Sequence, residues 1–254
     1  MRLLGPVLQA LLSLGLLIGF FSLDELHARV MLAIWPEYAD DIPYPGGDML
    51  RLGLRTIELV LISSGISVLI AVPLGILATR PAYREEFAPI VSGLANAGQT
   101  VPSLAVIAIA FPVLGFGVWP TIVALVINGL LPIVRNTIAG LESVDRAQLD
   151  AGLGMGMTPR QLLWQVELPH AVPVILAGIR TSVVLNVGTA VLGGLVGAGG
   201  LGEPIVNGIQ LRIPPHVWFG AVPTALLAVI ADYFLGQVER VLTPAGLLLE
   251  RERD

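Results

Sequence analysis

Long apolar segments alternate with short polar ones along the whole chain. Each apolar run holds about 20 residues or more, the length a helix needs to cross roughly 30 Å of hydrocarbon at 1.5 Å per residue. The pattern predicts six spans: Leu3–Leu23, Leu52–Thr79, Phe87–Leu114, Val118–Asn136, Ala171–Val196 and Val217–Val238. Runs longer than a bilayer tilt or project beyond it. The fold class is therefore all-α, a polytopic transmembrane helical bundle. The chain is expected to divide into residues 1–51 (a first span and an acidic loop), residues 52–242 (the main transmembrane domain, with its largest inside loop over 141–169) and a tail, 243–254.

Composition agrees. Of the 254 residues, 55% are hydrophobic and 13% charged, and the mean hydropathy is +0.82. A soluble domain of this size carries far more charge. Cysteine is absent, which excludes disulfides, thiolate metal sites and thiol catalysis. All 14 basic residues are arginine. Without lysine there is no P-loop and no Schiff-base chemistry. The net charge of -5 decides little, because loop asymmetry sets topology.

The first span starts like a signal peptide, with Arg2 as a small basic region. Its apolar run is too long, however, and Asp24, Glu25 and His27 follow where a small-residue cleavage site belongs. An uncleaved span is expected. Its Gly15 and Gly19 permit close helix contact, although glycine is common in membrane helices. With the N-terminus inside, Arg2, Arg80, Arg84, Arg135, Arg146, Arg160, Arg240, Arg251 and Arg253 face the cytoplasm. Arg29, Arg51 and Arg212 fall outside, and Arg55 and Arg180 stay within spans. This bias places both termini in the cytoplasm, in the cell (inner or plasma) membrane. The outside loop, Asp24–Arg51, is acidic, rich in Pro and Gly, and expected to be irregular. Trp35, Tyr38, Tyr44, Trp119 and Trp218 fall near the outer interface, Tyr83 and Phe87 near the inner one.

The loop Leu141–Pro169 has an ordered chemistry. Thr158 can cap a helix, Pro159 suits its first position and Gln161 completes a capping box. This helix is expected to run to Leu168 and stop at Pro169. Ahead of it, Ala151, Gly152, Gly154 and Gly156 strip the backbone of bulk, so that it can enter a partner's groove. Met155 and Met157 add adaptable apolar contacts. An ordinary interhelical loop with flexible glycines remains the alternative.

The stretch Asp150–Pro169, DAGLGMGMTPRQLLWQVELP, resembles the cytoplasmic "EAA" loop of ABC importer permeases. Asp150, Ala151 and Gly152 fill the first triplet, Gly156 is the spaced glycine, and Val166, Leu168 and Pro169 close the motif. Asp for Glu, Gly for the second Ala and Val for Ile are the departures. Over roughly Leu52–Leu242, the segments Gln99–Ala105, Leu131–Thr137, Gly154–Thr158, Ala177–Thr181 and Gly197–Gly202 resemble the osmoprotectant (glycine betaine/choline/carnitine) branch. The details are most similar to the Yeh-type glycine betaine uptake permeases, and Met1–Arg51 matches only loosely.

That resemblance implies a type I, MetI-like permease fold and a transport subunit that hydrolyses nothing itself. The loop, with Asp150, Ala151, Gly152, Gly154, Met155, Gly156, Met157, Thr158, Leu168 and Pro169, would dock on an ATP-binding subunit as a coupling helix. The implied partners are a dimer of such ATPases, a second permease (the same chain or a paralogue), a periplasmic or lipid-anchored binding protein, and membrane lipid. Nucleic acid is not among them. ATP and Mg would be used by the partner, with no cofactor on this chain.

Gln99, Pro102, Asn128, Asn186 and Arg180 are candidates for the translocation path. Intramembrane polar groups face cavities or pair with one another. Arg180 either lines the cytoplasmic vestibule or snorkels toward the inner interface. Asn128 and Asn186 either touch the path or bond between helices. Arg55 and Glu58, spaced i, i+3, can pair on their own helix. Pro102, Pro132 and Pro173 break or kink spans. Gly197–Gly202 also fits G-x-G-x-x-G, but no strand precedes it, so a tight reversal after the fifth span is expected. His27, His170 and His216 lack metal-site spacing. Aromatics are only 6% of the chain, too few to stack around a quaternary ammonium, so high selectivity is expected in the binding protein. Three alternatives stay open. They are a permease for another small solute, such as an amino acid of the methionine type, an ion-coupled secondary transporter, and a membrane enzyme. The last two lack mid-membrane carboxylates and a catalytic set respectively.

Overall fold

The computed structural model describes residues 4–80, 93 and 101–243. Among them there are helices and turns and no strand. The helices are α1 (Leu4–Phe21), α2 (Asp24–Ile34), α3 (Met49–Thr79), α4 (Ser103–Leu114), α5 (Val118–Glu142) and α6 (Arg146–Gly154). Then come α7 (Pro159–Val196), α8 (Gly202–Leu211) and α9 (Pro214–Leu242). Four of these, α3, α5, α7 and α9, are long and apolar enough to cross a membrane. Leu11–Phe21 and α2 make a fifth if taken as one span broken by a 60° bend. Of the predicted third span, the described part is α4, a shorter apolar helix. Tyr83, Arg84, Phe87 and Gln99 lie outside the described residues, as do Arg2, Arg251 and Arg253.

The centre is a layer of three helices, α3, α5 and α7, with α5 between the other two. Small residues make it possible. A Cβ on Gly75 would stand 2.6 Å from Thr137 Cβ, and one on Gly178 would stand 2.5 Å from Asn136 Cβ. Both glycines sit where backbones approach too closely for a side chain, the usual route to tight packing when lipid is as apolar as the helix surface. α9 packs on α7, and α1 lies along α9. Many large aliphatic side chains stay exposed on the helices, among them Leu8, Leu69, Ile109 and Val229. A water-facing surface does not carry so many large apolar side chains. They are the lipid-facing surface of a multi-pass membrane protein.

Three expectations need correction. The segment after the first span is irregular chiefly over residues 42–48. Asp24 and Glu25 open α2, where negative charge favours a helix N-terminus, and Phe20 packs edge-on against His27 at 4.5 Å. A 3-10 turn, Pro36–Asp41, follows. Second, the loop helix does not stop at Pro169. It passes through a π-helical turn, Leu163–Glu167, in which the Leu168 N–H bonds to Leu163 O, and continues as Leu168–Ala190. The wider turn opens the helix just ahead of the residue that lacks an N–H and would crowd the preceding carbonyl. Third, Pro132 and Pro173 do not break their spans, since both lie inside helices that run on past them, and Pro102 stands at the N-cap of α4.

Candidate functional site

The loop between α5 and α7 is built from short-range bonds. Asp145 caps α6, its carboxylate accepting from the Ala147 N–H at 3.0 Å. At the other end, the Gly156 N–H donates to Leu153 O at 2.9 Å and the Met157 N–H to Gly152 O at 3.1 Å. With Gly156 at φ +82, this is a Schellman stop, which requires a left-handed residue. The expected capping box is present: the Gln161 N–H donates to Thr158 Oγ1 at 3.3 Å and the Thr158 N–H to Gln161 Oε1 at 2.9 Å. Asp150, Ala151, Gly154, Met155, Gly156 and Thr158 are exposed, while Met157, Leu168 and Pro169 are half-buried. Gly152 differs from the surface role expected of it. It is buried, and a Cβ there would stand 2.6 Å from Leu162 Cδ1. Its smallness seats α6 against the start of α7. Leu153, Met155 and Trp164 form exposed apolar points on this end of the molecule, with Met155 at 72% and Trp164 at 63%. Thr158, Arg160, Gln161, Trp164 and Gln165 line a shallow open depression beside them.

Sequence reasoning missed one contact here. Glu167, buried at 7%, accepts from Arg80 at the end of α3, with Nη1 3.2 Å from Oε1 and Nη2 on Oε2. The only sequence signal was a lone carboxylate between Val166 and Leu168 at the edge of an apolar run.

Within the spans, a polar seam joins the three central helices. Asn128 Nδ2 lies 3.2 Å from Thr189 Oγ1 and 3.4 Å from Asn186 Oδ1. Ser67 Oγ on α3 donates to Val126 O on α5 at 3.1 Å. A Cβ on Gly129 would meet Ser182 Oγ at 2.5 Å and Ser67 Oγ at 2.9 Å. Asn186 is fully buried, so the two asparagines take the interhelical option. Arg180 is paired rather than free. Its Nε and Nη2 reach Asp232 Oδ1 and Oδ2 at 2.6 and 2.7 Å, and Nη1 lies 3.7 Å from Glu239. This two-bond fork pins α7 to α9. Pro102 is exposed, and Gln99 falls outside the described residues.

The far end of the bundle is closed by the Gly-rich turn, a reversal as expected. Gly197, Gly199 and Gly200 all have positive φ. Arg55, paired with Glu58 at 2.6 Å, donates through Nε to Ala198 O at 3.2 Å. The Leu201 N–H donates to Thr56 Oγ1 at 2.9 Å. Tyr44 on the acidic segment accepts from Asn207 Nδ2 at 2.8 Å, and burial pushes its hydroxyl above the ordinary tyrosine pKa. Its ring meets that of His216 edge-on at 4.9 Å. A cavity of about 610 Å³ opens here, lined by Asp48, Arg51, Arg55, Glu58, Gly199 and Glu203 among others. Trp35 and Trp218 stack edge-on at 5.4 Å on the same end. Among the described residues, no group of His, Asp or Glu has the spacing of a metal site.

A membrane bundle with a capped, exposed helical loop matches a known family along its main domain. Residues 71–243 fit the model of the binding-protein-dependent transport system inner membrane component. The chain belongs to that family. It is an ABC transporter permease, a membrane transport subunit rather than an enzyme or an ion-coupled carrier. It is 44% identical over 243 residues to the osmoprotectant import permease protein OsmY of Salmonella typhimurium, covering 96% of each chain. That alignment takes in the N-terminal region, which had matched only loosely on its motifs. The permease protein OpuCB of the glycine betaine/carnitine/choline transport system of Bacillus subtilis is 43% identical over 202 residues, 80% of this chain and 92% of that one. Among solved structures, an inward-facing MetNI methionine ABC transporter has the same fold, with TM-score 0.66 and 24% identity over 75% of this chain and 94% of that one.

Proposed function

We propose that this chain is the permease of an ATP-driven importer for a quaternary-ammonium osmoprotectant, glycine betaine foremost. The observation that carries the reading is the 44% identity, end to end, with an osmoprotectant import permease. The methionine-type alternative rests on a likeness of 24% identity, which speaks to fold alone. In this reading the loop end faces the cytoplasm. The exposed Met155, Trp164 and the depression beside them receive an ATP-binding subunit, which uses ATP and Mg. A second permease completes the path. A binding protein delivers the solute to the opposite end, where the mixed-charge cavity at Arg55 and Glu58 opens.

The test is uptake of labelled glycine betaine into proteoliposomes holding the permease, its ATPase and its binding protein, with ATP on the loop side. ATP-dependent accumulation is expected. No accumulation, together with ATPase stimulation by a binding protein loaded with another solute, would discard betaine and keep the importer.

A further inference from the structure

We propose that the Arg80–Glu167 ion pair is the strut by which the docking loop moves α3, making Glu167 a positioning residue for coupling. This rests on the importer reading above. The geometry is a fork: Arg80 Nη1 and Nη2 meet the two carboxylate oxygens of Glu167, and Nη2 also donates to Thr79 Oγ1 at 3.2 Å. A two-bond fork fixes angle as well as distance. The pair is largely shielded, with the side chains of Arg80 and Glu167 exposed by 23% and 10%. Shielded ion pairs are poor sources of stability, because well-packed apolar residues serve as well. A role in fixing position accounts for the expense of keeping this one.

Its place in the fold says what it positions. Glu167 ends the π turn of α7, one helical turn beyond the exposed Trp164. A force on the docking surface therefore reaches Glu167 through continuous helix, and π turns often mark functional sites. Ile76, Leu163 and Leu168 all pack against the apolar cluster of Leu141, Ala171 and Ile175; such contacts can slide, whereas the fork cannot. At the other end of α3, Arg55 and Thr56 hold the Gly-rich turn at the mouth of the far cavity. Arg80 and Arg55 stand about 37 Å apart along one helix at 1.5 Å per residue. α3 is thus a rod gripped by the loop at one end and by the far turn at the other.

The experiment compares wild type, Glu167→Gln and the double variant Arg80→Met with Glu167→Met in the full complex in proteoliposomes. ATP hydrolysis and uptake are measured in the same vesicles, and melting temperature separately. The double variant leaves no unpaired buried charge, so it folds even if the single variant does not. In the double variant, basal ATPase and melting temperature are expected to stay near wild type, while solute moved per ATP falls about fivefold or more. An unchanged ratio in the double variant overturns the strut, as does a loss of uptake and hydrolysis in equal proportion. Absence of ATP-driven uptake in wild type instead overturns the importer reading, and the strut with it.

Discussion

Two glycines in the loop, two residues apart, have opposite backbone requirements, and this allows a sharp prediction. Gly154 closes α6 with a helical backbone, and a Cβ there meets nothing within 4 Å. Alanine at this position is expected to help the helix by up to about 0.5–1 kcal/mol. Gly156 sits at φ +82 with equally open surroundings, so alanine there has room and a forbidden backbone, at a cost of about 1–2 kcal/mol. The two variants then differ by about 2 kcal/mol in the stability of the same turn, a factor of roughly 30. The Met157 amide is the reporter, because it donates to Gly152 O only while the turn is formed. Hydrogen exchange should show its protection falling by about tenfold in Gly156→Ala and holding or rising in Gly154→Ala. Equal protection in the two variants would refute the left-handed requirement. The same reasoning selects the docking probe. An arginine at Gly156 mixes steric blockage with strain, whereas Gly154→Arg projects bulk from an intact, exposed helix end. ATPase recruitment surviving Gly154→Arg would count against docking on this face.

Two further outcomes follow from the helix contacts. Gly178→Leu forces a side chain against Asn136 Cβ and Pro132 O and should destabilise by about 3 kcal/mol, whereas Gly188→Leu, which has open space, should leave the melting temperature unchanged; similar losses in both would contradict the crossing of α5 and α7. Asp232→Asn leaves Arg180 with Glu239 as its carboxylate partner at 3.7 Å and should loosen the α7–α9 contact, read as a lower melting temperature; an unchanged melting temperature would contradict the fork as the pin between these helices.

What the sequence carried, and what it did not, divides along a physical line. The spans were legible because hydrocarbon imposes one length and one polarity on each of them. The capping box at Thr158 and Gln161 was legible because its two bonds join residues three apart. The Gly-rich reversal could be read because positive φ belongs mainly to glycine. What stayed hidden depends on distance in the chain. Glu167 meets Arg80 across 87 residues, and Arg180 meets Asp232 across 52; neither pairing has a period or a spacing. Gly152 shows the same limit from the other side. Its smallness was visible, but the neighbour that needs it small, Leu162, lies ten residues on, across a turn. The continuation through Pro169 was hidden for a different reason. Proline reads as a stop whenever the helix before it is assumed to be α-helical, and the π turn at Leu163–Glu167 removes that assumption. The missed features converge on one place, where α7 leaves the loop and enters the bundle. Local rules describe a docking segment and a span as separate pieces there. The long-range fork and the widened turn join them into a single piece, and the proposed strut stands or falls with that junction.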